Sequence, residues 1–157
     1  MPLFGRRPGI ELPDDQVTAQ VGALCTDQAS RLSGVATVEL ILDEAPKPPT
    51  GAWITPRAVG AVAVSWEQFD DCLVAGVYGC EQWEFPRTTA GVATVRAVVD
   101  AAVTGAIEVG TGRGQTHYRV RLPDGSVREA ARSSFKGWLL TMPGKPRLAW
   151  STTAPYS

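Results

Sequence analysis

The spacing of the apolar residues changes at Gly105, and this change limits what the chain can fold into. Over residues 92–103 valine and alanine recur at helical spacing, which predicts an amphipathic helix that Gly105 ends. Over residues 107–122 apolar and polar residues alternate, which is typical of strands with one buried face. The Pro-Asp-Gly triplet at 123–125 predicts a hairpin turn into a returning strand over 126–132. Early helices followed by consecutive short strands favour an α+β fold over a doubly wound one.

The rest of the chain adds further elements of both kinds. Prolines make residues 1–13 an irregular leader, and we expect one domain over residues 14–157. In that domain we expect a largely antiparallel sheet with a C-terminal β-meander, packed against two or three helices. The remaining predicted elements are a helix over 14–33, a strand over 35–42, a second strand within 53–64 and best placed at 58–64, a short helix from Ser65, a strand over 74–80 and a last strand over 147–152.

Length, composition and cysteine usage point to a globular protein of the cytoplasm. The chain has 157 residues, of which 44% are apolar and 20% charged, as expected for one folded domain. No apolar run is long enough to span a bilayer, and no secretory signal opens the sequence. Cys25, Cys72 and Cys80 predict free thiols in a reducing compartment, with a Cys72–Cys80 disulfide as the alternative. The abundance of alanine, valine, glycine and arginine is typical of a bacterial or phage source.

Charge is unevenly distributed along the chain, although the net charge is only −1. Residues 1–100 carry seven Lys and Arg against thirteen Asp and Glu, whereas residues 101–157 carry eight against three. Such asymmetry predicts a surface with an acidic side and a basic side. Either side would attract a partner of opposite charge. The alternative is that the two halves attract each other within one fold.

The glycine-rich stretch "GTGRGQ" from Gly110 resembles a phosphate loop only superficially. A phosphate-binding loop or a dinucleotide fingerprint opens a helix, whereas a strand follows this stretch. We therefore interpret the glycines as a turn between two strands, with a small anion nest beside Arg113 as the alternative.

The sequence contains no coherent catalytic or metal-binding constellation. His117 is the single histidine and no nucleophile motif accompanies it, so we assign no catalytic residue. One histidine and three scattered cysteines lack the paired spacing of a structural zinc site, so we expect no metal and no cofactor.

Positive residues concentrate on the predicted hairpin, where His117, Arg119 and Arg121 share one strand face by alternation. The sequence allows two pairing registers for the two strands of this hairpin. A three-residue loop sets Arg119 opposite Glu129 and moves Arg128 to the other face, whereas a two-residue turn keeps Arg128 opposite Arg121. The candidate binding residues of this basic hairpin face are Arg113, His117, Arg119, Arg121 and Arg128.

Five tryptophans are many for this length, and one of them lies in a polar segment. Trp83 and Phe85 stand in "CEQWEFPR", which we interpret as a loop before the long helix. Exposed aromatic residues are typical anchors of protein interfaces, so both are interface candidates. The alternative is that they fill the core.

These features favour a small cytoplasmic, non-catalytic binding protein that acts through protein–protein contact. An immunity protein, an adaptor or a secretion accessory factor fits this description. An enzyme or ligand-binding domain with a dispersed site of Asp, Glu, Arg and Tyr is the main alternative. Nucleic-acid binding through the hairpin is weaker, because Tyr118 points away from the arginines and cannot stack beside them. The sequence does not fix the oligomeric state, and no membrane is implied.

Overall fold

Two helices and nine strands make up the described part of the chain. The computed structural model describes residues 11–43, 47–112, 114–133 and 147–157. In chain order the elements are α1 (Gln16–Arg31), β1 (Ala36–Ile41), β2 (Gly51–Pro56), β3 (Val64–Gln68), β4 (Cys72–Val77), β5 (Trp83–Pro86), α2 (Thr89–Thr104), β6 (Glu108–Gly112), β7 (Gln115–Arg121), β8 (Val127–Ser133) and β9 (Ala149–Thr152). The predicted α+β class is confirmed, with the strands divided between two antiparallel sheets.

Both helices begin and end at residues suited to those positions. The carboxylate of Asp15 accepts a hydrogen bond from the Thr18 backbone N–H at the start of α1. The hydroxyl of Thr88 does the same for the Gly91 N–H at the start of α2. Gly105 ends α2 with a φ of 72°, a left-handed conformation that glycine adopts without strain. Neither helix is long and apolar enough to cross a membrane.

The first sheet has the strand order β1-β2-β3-β4-β5, and both helices pack on one side of it. We call the helix-covered side the inner face and the opposite side the outer face. Inward-pointing residues such as Ile54, Trp66 and Leu73 alternate with outward-pointing residues along each strand. The valines of α2 and Leu24 of α1 complete this core. Its burial of apolar surface is the main force that holds helices and sheet together.

Several predicted element positions in this sheet are wrong. No helix begins at Ser65, because residues 64–68 form β3. The Ser65 and Gln68 spacing that suggested a helix cap belongs instead to a strand, in which Trp66 and Gln68 point inward. β2 lies before the strand predicted at 58–64, and the segment around Trp83 is a strand where a loop was predicted.

The second sheet has the strand order β8-β7-β6-β9, and its hairpin resolves the open register. The Leu122 N–H donates to Ser126 O at 2.8 Å, so residues 123–125 form a three-residue loop. Gly125 takes the left-handed position of this loop, with a φ of 83°. Arg119 therefore lies opposite Glu129, and Arg128 lies opposite Val120 on the other face.

Trp83 joins the edge strands of the two sheets. Because Leu122 and Ser126 form a hydrogen-bonded pair, alternation along the ladder turns the carbonyl of Glu129 away from β7. The indole Nε1–H of Trp83 in β5 donates to this carbonyl at 3.0 Å. A backbone acceptor of edge strand β8 thus gains a partner from edge strand β5.

Candidate functional site

The basic hairpin face carries a hydrogen-bonded cluster around Glu129. Arg119 Nε donates to Glu129 Oε2 at 2.8 Å, and His117 Nδ1 lies 2.9 Å from Glu129 Oε1. The other ring nitrogen of His117 lies 3.2 Å from Gln115 Oε1. The guanidinium of Arg119 lies 3.8 Å from the centre of the Trp150 ring on β9. One carboxylate therefore engages two of the five predicted basic candidates.

Gly110 makes room for the Trp150 ring on this face. It lies opposite His117 on one side and opposite Trp150 on the other. A Cβ at Gly110 would lie 2.8 Å from the indole, so the ring occupies the space that a side chain would need. β6 and β7 follow each other across a short turn with Gly114 at a φ of 74°. The glycine stretch connects two antiparallel strands as expected, although Gly110 and Gly112 lie within β6 and Gly114 is the one of the three glycines in the turn.

Electrostatic pairing weakens the case for a basic binding face. The hydrogen bond from Arg119, and next the one from His117, hold the pKa of Glu129 below its usual value. Arg128 lies on the opposite face, where its guanidinium is 5.6 Å from the Phe85 ring. Arg121 is exposed on the hairpin face, and Arg113 lies outside the described residues. This arrangement does not bring the five candidates together into one positive surface.

The two aromatic interface candidates lie in the core. Trp83 and Phe85 are 9% and 4% exposed, and both point inward from β5. A strand buries alternate residues, and these two are alternate residues of β5. The expectation that they stand exposed in a loop is wrong, because they lie on β5, which packs against α2 and contacts the second sheet.

The outer face of the first sheet is the most distinctive surface of the described residues. Its strand residues include three negatively charged side chains and no positively charged one. The outward-pointing strand residues are Thr37, Glu39, Ile41, Gly51, Trp53, Thr55, Ser65, Glu67, Cys72, Val74, Gly76, Glu84 and Pro86. Glu39 and Glu84 are exposed, near the two edges of the sheet. This face is acidic from one edge to the other.

An aromatic pair lies at the middle of the outer face. The Trp53 ring centre lies 5.6 Å from that of Tyr78, and the two planes are tilted by 52°. Tyr78 is 43% exposed and Trp53 is half-buried. Gln82 closes the neighbouring part of the face, because its amide donates to Ser65 Oγ and its backbone packs over Gly76. The face is thus ordered by its own contacts and still offers an aromatic surface.

The raised pKa of Cys72 reflects the negative charge on this face. Burial raises the pKa of the Cys72 thiol to about 12, and the carboxylates of Asp71, Glu84 and Asp70 add to that rise. Asp70 and Asp71 form the turn between β3 and β4, so the acidic surface continues past the strand ends.

A groove of about 290 Å³ runs along the β1 edge of the outer face. Both carboxylate and apolar side chains line this groove. It is lined by Glu39, Leu40, Ile41, Leu42, Trp53 and Glu67. Leu40 and Leu42 are 36% and 65% exposed, which is unusual for leucines next to a packed sheet. The groove combines apolar area with negative charge.

A second cleft and a buried arginine lie at the start of α1. The cleft has a volume of about 280 Å³ and is lined by acidic residues, prolines and Thr18. Arg87, with only 9% of its side chain exposed, donates to Asp15 Oδ2 at 2.6 Å and to Thr18 Oγ1 at 2.8 Å. These hydrogen bonds connect the end of β5 to the start of α1, so Arg87 already has protein partners. Among the described residues, no group of three or more His, Cys, Asp or Glu side chains is placed to hold a metal ion.

The outer face escaped prediction from sequence because its strands were misassigned. Ser65 and Glu67 alternate with Trp66 and Gln68, which is the signal of a strand with one polar face. Reading that alternation would have placed Ser65 and Glu67 on one face of a strand, without showing which strand pairs with it. The excess of negative charge in residues 1–100 was the other available signal.

The chain matches no protein-family model, and searches of curated protein sequences and of solved structures return no match.

Proposed function

We propose that this chain is a small non-catalytic binding protein that acts through protein–protein contact, and that the outer face is its contact surface. The observation that carries the proposal is the make-up of that face. It combines three glutamates and an aromatic pair, without a positive strand residue, on the side of the sheet opposite both helices.

The physical properties of this face suit recognition of a basic protein. Half-exposed Trp53 and Tyr78 supply rigid apolar area that loses little conformational entropy on binding. The glutamates around them attract a positively charged partner and raise its association rate. The same charges repel phosphate backbones, so a protein partner is favoured over nucleic acid.

The proposal places the protein in the cytoplasm, because Cys25, Cys72 and Cys80 are all free thiols. A blocking role as an immunity protein, a bridging role as an adaptor and an escort role as a secretion accessory factor all use such a surface. These roles differ in which protein is bound, and all three use the outer face as the contact surface.

Comparative affinity capture from the source cells tests the proposal. Wild-type protein, Glu84→Lys and Glu108→Lys are used as baits, and the recovered proteins are compared by quantitative mass spectrometry. Both variants change the net charge equally, and Glu108 is exposed on the second sheet. We expect a basic protein whose recovery falls with Glu84→Lys and not with Glu108→Lys. With purified components, Glu84→Lys should weaken binding about tenfold, and added salt should weaken it further.

Equal recovery of every partner by all three baits would contradict the proposal. A metabolite that copurifies with the protein and lies in the cleft beside Thr18 would favour a ligand-binding function instead.

A further inference from the structure

The β1 strand is the edge of the first sheet, and half of its backbone groups point away from the sheet. The Arg57 N–H donates to Val35 O at 3.0 Å, which marks residues 35 and 57 as a hydrogen-bonded pair. Alternation along the antiparallel ladder then turns the N–H and C=O groups of Val38 and Leu40 toward the free edge. Among the described strands none pairs with this side of β1, and edge groups of this kind are a template for a further strand.

Of the usual protections of an edge strand, β1 carries a single charged side chain. Natural edge strands commonly carry lysine, proline or a bulge that discourages pairing. β1 reads ATVELI and pairs with β2 in continuous register from Ala36 to Ile41. Its one charged residue, Glu39, is negative. This edge therefore discourages a negatively charged strand and admits a positively charged one.

The two sides of the β1 edge differ in chemistry. On the outer side, the groove brings Glu39 and Glu67 beside Trp53. Leu40, which lies opposite Ala52 and points to the inner side, is 36% exposed, and Leu42 just beyond β1 is 65% exposed; both also border the groove at the strand edge. Since side chains alternate along a strand, a strand added here would place one set of its residues among carboxylates and the other set on leucine.

We propose that the β1 edge accepts an extended segment of a basic partner protein as a sixth strand, with lysine or arginine alternating with apolar residues. This inference rests on the proposed function and specifies how the partner is recognised. The positive side chains would lie beside Glu39, and the apolar ones would cover Leu40 and Leu42. Backbone hydrogen bonds to Val38 and Leu40 would provide affinity, and the alternating side chains would provide specificity.

Charge complementarity selects this occupant over a second copy of the chain. A second β1 strand would bring another Glu39 close to the Glu39 of the first, the one charged residue of this edge. Like charges in adjacent strands destabilise the pairing. The positive side chains of a basic partner segment are instead attracted to Glu39.

The test uses the purified full chain and two capped peptides of about seven residues, the span of a typical strand. One peptide alternates lysine with valine, and the other alternates glutamate with valine. NMR chemical shifts follow binding, and amide hydrogen exchange follows the N–H groups of Val38 and Leu40. We expect the lysine peptide to bind, the glutamate peptide not to bind, and both amides to become protected only when the lysine peptide is present.

Two variants separate strand addition from simple charge attraction. Leu40→Pro removes the outward-facing N–H, and proline is tolerated at such positions of an edge strand. Leu40→Ala shortens the same side chain and keeps the N–H. We expect Leu40→Pro to weaken peptide binding about tenfold, and Leu40→Ala about threefold or less. Should Leu40→Pro not fold, protection of the Val38 and Leu40 amides in the wild-type protein still separates the two, because charge attraction alone leaves both amides unprotected. Glu39→Gln then measures the charge contribution and should weaken the lysine peptide about threefold.

Failure of this inference differs from failure of the proposed function. The inference is overturned if neither peptide binds, or if the lysine peptide binds without protecting Val38 and Leu40. It is also overturned if those amides are already protected in the free protein, by this chain or by a second copy. A captured partner that is lost with Glu84→Lys but retained with Leu40→Pro would overturn strand addition and leave the contact function standing.

Discussion

Replacement of Trp83 by phenylalanine tests whether this residue joins the two sheets. The sequence context suggested an exposed interface anchor, whereas the indole is 9% exposed and donates to Glu129 O at 3.0 Å. Trp83→Phe removes that hydrogen bond and leaves the carbonyl of an edge strand without its partner. The smaller ring also leaves space between β5 and β8.

The expected loss of stability follows from these two effects. Loss of this hydrogen bond leaves a partly buried acceptor unsatisfied, which costs about 1–2 kcal/mol. The void left by the smaller ring costs about 1 kcal/mol more. We therefore expect the free energy of unfolding to fall by about 2–3 kcal/mol, which corresponds to a Tm decrease of about 5–10 °C for a chain of this length.

Urea denaturation followed by circular dichroism measures this loss, with Trp53→Phe as the matched control. Trp53 undergoes the same chemical change on the outer face, where the ring is half-buried. We expect its substitution to cost less than about 1 kcal/mol. The reasoning is refuted if Trp83→Phe costs no more than Trp53→Phe, because Trp83 would then contribute neither the bond nor the packing.

Three further predictions concern the second sheet, the buried arginine and the thiols. Gly110→Val should push the Trp150 ring off its site, lower stability by about 1–3 kcal/mol and change the near-UV circular dichroism; an unchanged spectrum would contradict the packing. Hydrogen bonds from Arg87 hold the pKa of Asp15 below its unfolded value, so the stability they provide is present above about pH 4 and is lost as the pH falls further. Arg87→Met should therefore flatten the pH dependence of the unfolding free energy in acid, and an unchanged slope would refute this. Burial raises the pKa of the Cys25 thiol to about 12, so iodoacetamide should modify this thiol only after unfolding. Mass spectrometry measures the modification. If the thiol in the native protein reacts as fast as a free peptide thiol, Cys25 is not protected by burial.

Local signals predicted those elements whose ends are fixed by nearby residues. Thr88 and Gly105 bound α2 through contacts within a few residues, so the helix could be read directly from the sequence. The hairpin turn was equally local, since Gly125 supplies its positive φ. β3 failed because the spacing of Ser65 and Gln68 fits both a helix cap and a strand.

The candidate surfaces could not be predicted because distant residues build them. Glu129 meets His117 and Arg119 only in the three-residue-loop register, and the sequence admitted two registers. The outer face depends on strands that pair Glu39 with Trp53 and Glu67 with Val74. The charge excess of residues 1–100 indicated an acidic surface without locating it.

Amide hydrogen exchange of the protein with and without its captured basic partner shows which surface the partner covers. We expect the partner to slow exchange in β1 and in the strands that carry Trp53 and Glu84, while the exposed hairpin around Arg121 is unaffected. Protection confined to the hairpin face, or to the cleft beside Thr18, would contradict the assignment of the outer face as the contact surface.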